Sequence, residues 1–111
     1  MLKITEYDEI WNEIKREFAA CPRDVRTRPL GNREPVWFFV SCTDNKVMIS
    51  SGRTHGSKSA IHGARALKRD ELEAIFDLYQ RRKTGESVSL MAKEITQNQV
   101  YWYGIFAELG Y

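Results

Sequence analysis

Cysteine is scarce in this chain. Its two cysteines, Cys21 and Cys42, are too few for a disulfide scaffold, so the fold has to be held by its own core. Both are expected as reduced thiols, Cys21 at a helix end and Cys42 in a strand. No apolar run approaches the roughly 20 residues that a membrane-spanning helix needs. The N-terminal residues turn acidic at Glu6, which does not suit a secretory signal. A cytoplasmic protein without a membrane role is the expectation. Histidine is equally rare. His55 and His62 stand seven apart, without the i, i+4 spacing or the cysteine partners of a zinc site. The glycines form neither a Gly-Lys-Ser/Thr phosphate loop nor a dinucleotide fingerprint, so no metal and no cofactor is expected. There are no internal repeats, low-complexity tracts or linkers.

What is present fits one globular domain over residues 1–111. Apolar residues make up 42% and charged residues 29%, a balance that supports a buried core and a solvated surface. The net charge of +2 is unevenly spread. Residues 1–20 carry three basic and five acidic side chains, net −2; residues 21–69 carry ten and three, net +7; residues 70–111 carry four and seven, net −3. A positive middle between acidic flanks can attract a polyanion, or can be neutralised by the flanking helices.

Residues 5–20 read as an amphipathic helix, with Thr5 as its cap, Tyr7, Ile10, Trp11, Ile14 and Phe18 on one stripe, and Pro22 as its stop. Residues 22–35 read as a loop in which Val25, Thr27 and Leu30 can form a short edge strand. Residues 36–50 read as a β-hairpin turning at Thr43, Asp44 and Asn45. Its first run is apolar on both faces: Val36, Phe38 and Val40 on one, Trp37 and Phe39 on the other. Both faces therefore need cover. Residues 51–66 form a small-residue, cationic connection, and 64–67 can return as a third strand. Residues 69–83 read as a second amphipathic helix with Leu72, Ile75, Phe76 and Tyr79 buried, a basic last turn, and a stop at Thr84 and Gly85. A short helix runs through Val88, Met91, Ala92 and Ile95. Thr96 and Gln99 then have the form of a capping box opening a last helix, apolar nearly all round, over 100–109. The fold class is α+β: a small antiparallel sheet with helices 5–20 and 69–83 on one side, completed by the C-terminal helices.

The layout of the last three helices resembles the helix-turn-helix unit of recombinases and small repressors, with Ala92 at the small position and Met91 and Ile95 at the buried ones. The match stops at Thr96, which stands where the turn glycine belongs, and residues 94–111 contain no Lys or Arg to meet phosphates. A broader resemblance is carried by Pro35–Ser50, Tyr79–Glu86 and Ile95–Ile105. In overall pattern the chain resembles small bacterial proteins encoded by mobile integron gene cassettes. That resemblance implies an α+β domain, commonly dimeric and without an assigned activity.

For catalysis, Cys42 with either histidine would supply a nucleophile and a base, but no orienting acid or oxyanion element is identifiable, and no enzyme is expected. The sharper candidate is nucleic-acid binding by the basic middle segment. Arg26, Arg28, Arg33, Arg53, Lys58 and Arg65 would meet phosphates, His55 and His62 belong to the same binding segment, and Trp37 and Phe39 would stack on unpaired bases if their face is open. Tyr101, Trp102, Tyr103, Phe106 and Tyr111 are candidates for a homodimer face. The function expected is thus a non-enzymatic binding protein for DNA or RNA that self-associates. The alternative is a protein–protein interaction module, homodimeric or partner-binding, without nucleic-acid contact.

Overall fold

The computed structural model describes residues 2–29 and 33–111. The fold is α+β: α1 (Ile4–Ala20), β1 (Arg23–Arg26), β2 (Trp37–Thr43), β3 (Lys46–Ser51), β4 (Arg65–Ala66), α2 (Leu72–Lys83), α3 (Ser89–Ile95) and α4 (Gln99–Glu108). A 3₁₀ turn at Arg69–Glu71 leads into α2. The strands form one antiparallel sheet in the order β1-β2-β3-β4. The expected hairpin is β2 and β3, closed by Asp44 and Asn45 with Thr43 opposite Lys46. Both turn residues have positive φ, 51° and 64°, the geometry of a two-residue turn that follows the strand twist. The expected third strand is β4. A fourth, β1, pairs with β2 from Arg23 opposite Val40 to Arg26 opposite Trp37. Thr27 extends this pairing: its amide donates to the Val36 carbonyl at 2.9 Å, and its hydroxyl accepts from the Val36 amide at 3.0 Å. Leu30, grouped with Val25 and Thr27 as edge-strand residues, lies outside the described residues.

Register assigns two faces. Val25, Phe38, Val40, Val47 and Ile49 share the inner face and are wholly buried. Tyr7, Ile10, Ile14 and Phe18 of α1 pack on it, each large apolar side chain contributing about 1.5–3 kcal/mol of burial. The helix starts at Ile4, so Thr5 sits inside its first turn and does not cap it. Glu6 reaches back to the Lys3 amide instead, at 3.4 Å.

The helix next to α1 on this face is α4. Gly104 of α4 comes so close to β1 and β2 that an added Cβ would lie 2.9 Å from both the Arg26 carbonyl oxygen and a Phe38 ring carbon. On its other side α4 meets α2, with Phe76 edge-on to Phe106 at 5.0 Å and Tyr79 stacked on Tyr103 at 5.8 Å. The expectation that helix 69–83 packs on the sheet is therefore corrected: α2 packs chiefly on α3 and α4, as a third layer. Its end follows the expected stop, with Gly85 at φ +94° and the Glu86 amide donating to the Arg81 carbonyl. In α3, Ala92 is buried and Ile95 half-buried, but Met91 is exposed, which departs from the buried position that the helix-turn-helix resemblance implies for it. Thr96 does not form the capping box; its hydroxyl accepts from the Asn98 amide at 3.0 Å, one residue before α4 begins. No helix among the described residues is long and apolar enough to cross a membrane.

Candidate functional site

The outer face of the sheet carries Asp24, Arg26, Trp37, Phe39, Ser41, Met48 and Ser50, by the same register that turns their neighbours inward. The helices occupy the opposite face. Among the described residues, the cover here is the chain's own segment 52–59. That segment runs back beside β2: the Trp37 amide donates to the Ser57 carbonyl at 2.7 Å, and the Trp37 carbonyl accepts from Gly52 at 3.1 Å and Ser59 at 2.9 Å. Gly52 has to be glycine, because a Cβ there would lie 2.8 Å from the Trp37 carbonyl oxygen.

Asp24 anchors the segment. Its carboxylate accepts from three successive backbone amides, Arg53 at 2.9 Å, Thr54 at 2.9 Å and His55 at 3.2 Å, and from the Thr54 hydroxyl at 3.1 Å. His55 Nδ1 lies 2.9 Å from the same carboxylate. The carboxylate is acceptor-only when ionised, so Nδ1 carries the proton and Nε2 is turned away from Asp24. Consecutive amides converging on one point form an anion-binding nest. Here the protein's own carboxylate fills it, and the Asp24 side chain is only 1% exposed. These amides are therefore already occupied and are not free to cradle a phosphate. Burial pushes the Asp24 carboxyl up, but hydrogen bonds from His55, Arg53 and Thr54 outweigh it and hold the group well below the usual carboxylate range.

With the segment fixed in this way, two layered pairs stand side by side. The His55 imidazole stacks on Trp37 with ring centroids 3.5 Å apart and planes 10° from parallel. The Arg53 guanidinium lies over Phe39 at 3.8 Å. Trp37 and Phe39 are half-buried, while His55 and Arg53 are exposed, so the planes offered to solvent are the imidazole and the guanidinium. Lys58 is bridged directly to Trp37, and Arg26 is its partner across the strands. No protein-family model matches the chain, and comparison with curated proteins and with solved structures finds no similar chain.

The structure divides the sequence candidates. Arg26, Trp37, Phe39, Arg53, His55 and Lys58 belong to the outer face. Arg65 does not: it pairs with Ile49 on the inner side, and its guanidinium donates to Asn98 Oδ1 at 3.1 Å. Arg33 lines a cleft among α2, α3 and α4, and the Arg28 carbonyl accepts from Arg82 of α2. His62 is exposed and makes no hydrogen bond to the Asp24 cluster among the described residues. Three of the homodimer candidates are corrected as well. Trp102, Tyr103 and Phe106 are buried within the chain, because α4 is enclosed by the sheet and α2. Tyr101 packs on Phe38 at 5.0 Å, and the Tyr111 hydroxyl donates to Glu13 at 2.8 Å; burial, and then that hydrogen bond, push the phenol up to about 12.

Asp24 is the residue that sequence reasoning passes over. One signal was present: a single acid alternating with arginines, opposite an aromatic strand. With Asp24 orienting His55, the face holds an acid–base pair. Cys42 points to the inner face, being paired with Val47, so it stands across the sheet from His55. Among the described residues no hydroxyl or thiol is hydrogen-bonded to His55 Nε2, and no cluster of three metal-binding side chains occurs.

A pH dependence follows from Asp24. Its carboxyl titrates lower in the folded chain than in the unfolded one, so its contribution is complete above the ordinary aspartate range and is lost as the pH falls through the folded value. The amides of Arg53, Thr54 and His55 are expected to stay protected from neutral pH down to about pH 4 and to lose protection below it. Amide hydrogen exchange followed by NMR checks this. Loss of protection already at pH 6 would contradict the assignment.

Proposed function

We propose that this chain is a non-enzymatic binding protein that takes single-stranded nucleic acid on the outer face of its sheet. The observation that carries the reading is the layered pair of pairs, His55 on Trp37 and Arg53 on Phe39. Histidine rings and arginine guanidinium planes are surfaces on which unpaired bases stack. Both are planar, cationic or able to become so, and held in place by Asp24 and the aromatic ring beneath. Arg26 and Lys58 flank the pair and supply further charge for the phosphates. Bases inside a duplex are already stacked and cannot use such planes, which is why a single strand is preferred. The acid–base pair on this face is read as positioning, since Asp24 has its acceptor capacity taken up by the segment it anchors.

The test is fluorescence anisotropy of labelled single- and double-stranded DNA and RNA. Three permanent cations on the face, Arg26, Arg53 and Lys58, predict about a twenty-fold loss of single-strand affinity between 50 and 200 mM salt, from a slope of roughly 0.7 per phosphate contact. Trp37→Ala is expected to weaken binding at least five-fold through the lost platform, at about 1–3 kcal/mol per stacked base. Arg65→Glu is expected to change it little, because Arg65 lies on the other side of the sheet. Absence of binding at low salt would sink the reading. It would leave the same face to a protein partner or a second copy, for which half-exposed Trp37, Phe39 and Met48 supply apolar area.

A further inference from the structure

A cleft of about 400 Å³ opens on the helical side of the molecule, away from the outer sheet face. The end of α2, the start of α3, the first turn of α4 and the residues Pro29 and Arg33 line it. Three cations face it: Arg33, Arg82 and Lys93. Its one acid, Glu86, is paired with Arg81 at 3.2 Å. Among the described residues, none of the three cations is within ion-pairing distance of a carboxylate.

Tyr103 lines the same cleft yet is only 4% exposed. Its hydroxyl is buried and has no hydrogen-bond partner among the described residues. Buried hydroxyls are almost always paired, and one left unpaired destabilises the fold, so an orphan on a residue that lines the cleft points to a ligand. The Arg82 guanidinium lies over the Tyr103 ring at 4.7 Å and donates to the Arg28 carbonyl, which fixes its orientation. Burial pushes the Tyr103 phenol up, so it stays a neutral donor at physiological pH.

We propose that this cleft binds a small phosphate monoester. Three uncompensated cations exceed what a single carboxylate calls for and suit a dianion, and the planar forks of Arg33 and Arg82 match phosphate oxygens. The Tyr103 hydroxyl donates the inner hydrogen bond. Val88 and Val100 form the apolar wall for the body that carries the phosphate. The volume lies within the range of small-molecule sites. This site is independent of the strand-binding reading and shares no residue with it.

Isothermal titration calorimetry at low ionic strength tests the proposal, with adenosine 5′-monophosphate, inorganic phosphate and adenosine as probes. The monophosphate is expected to bind, inorganic phosphate to bind more weakly, and adenosine not to bind. Tyr103→Phe keeps the ring under Arg82 and removes only the orphan hydroxyl. It is expected to weaken monophosphate binding about ten-fold while leaving Tm unchanged or raised, which separates a ligand contact from a structural role. Lys93→Gln, at an exposed position, is expected to weaken it several-fold. Trp37→Ala should leave it unaltered. Failure of the monophosphate to bind at millimolar concentration, or a Tyr103→Phe protein that binds as tightly as the parent, would overturn the proposal.

Discussion

Asp24→Ala is expected to lower stability by about 3 kcal/mol, a large share of the total for a chain of this size. The substitution removes one carboxylate but strands several donors. The amides of Arg53, Thr54 and His55 lose their acceptor together, as do the Thr54 hydroxyl and His55 Nδ1. Water can replace part of the loss because the segment is exposed, which keeps the cost below the sum of the separate bonds. Asp24→Asn keeps the shape, but its amide nitrogen turns donors onto donors, so about half the effect is expected. Urea denaturation measures both, with midpoint shifts of roughly 1–2 M for the alanine variant. The same variant should lose single-strand binding, since Arg53 and His55 are held over Phe39 and Trp37 by that anchor. A loss below about 1 kcal/mol would mean that water satisfies the freed donors and that Asp24 is not what fixes the segment.

Gly104→Ala is the second substitution with a large expected effect, and two principles oppose each other there. In an isolated helix, replacing glycine by alanine stabilises by about 1 kcal/mol. At Gly104 the new Cβ would lie 2.9 Å from the Arg26 carbonyl oxygen and from Phe38. One neighbour is backbone, and the other is a wholly buried ring, so neither yields easily. Overpacking of this kind costs about 1–3 kcal/mol for small additions, and it wins. With the two set against each other, the alanine variant is expected to melt by up to about 9 °C below the parent, and Gly104→Val further still. A melting temperature at or above that of the parent would show that the space between α4 and the sheet takes up a methyl group, and that helix propensity decides the sign.

Much of the architecture was legible in the residues. The stripe of Tyr7, Ile10, Ile14 and Phe18 could only be a helix with one buried side, and it is. The alternation through β2 and β3 put Phe38 and Val40 opposite Trp37 and Phe39, and Asp44 and Asn45 carried the positive φ that their turn requires. These features depend on neighbours within a few positions, so local periodicity contains them. The stop at Gly85 is of the same kind.

Contacts between distant segments were not contained in that periodicity. An apolar helix such as α4 satisfies its composition equally well inside its own chain or against a second one. The close approach at Gly104 and the aromatic contacts from α2 place it inside, and so Trp102, Tyr103 and Phe106 are core. Helix 69–83 had an amphipathic pattern compatible with either a sheet or another helix, and only the prior claim of α1 and α4 on the inner face moved it outward. The basic middle looked like one continuous patch because sequence distance was the only ruler. Strand register separates its members: Arg65 shares a side with Ile49, while Arg26 stands opposite Trp37 on the other. Asp24 shows the limit most clearly. By sequence it is one acid among arginines; folded, it is 29 to 31 residues from the amides it holds. Local sequence determined the elements and the faces of each strand, whereas the pairing of Asp24 with Arg53–His55 and the enclosure of α4 were decided by chain segments meeting in space.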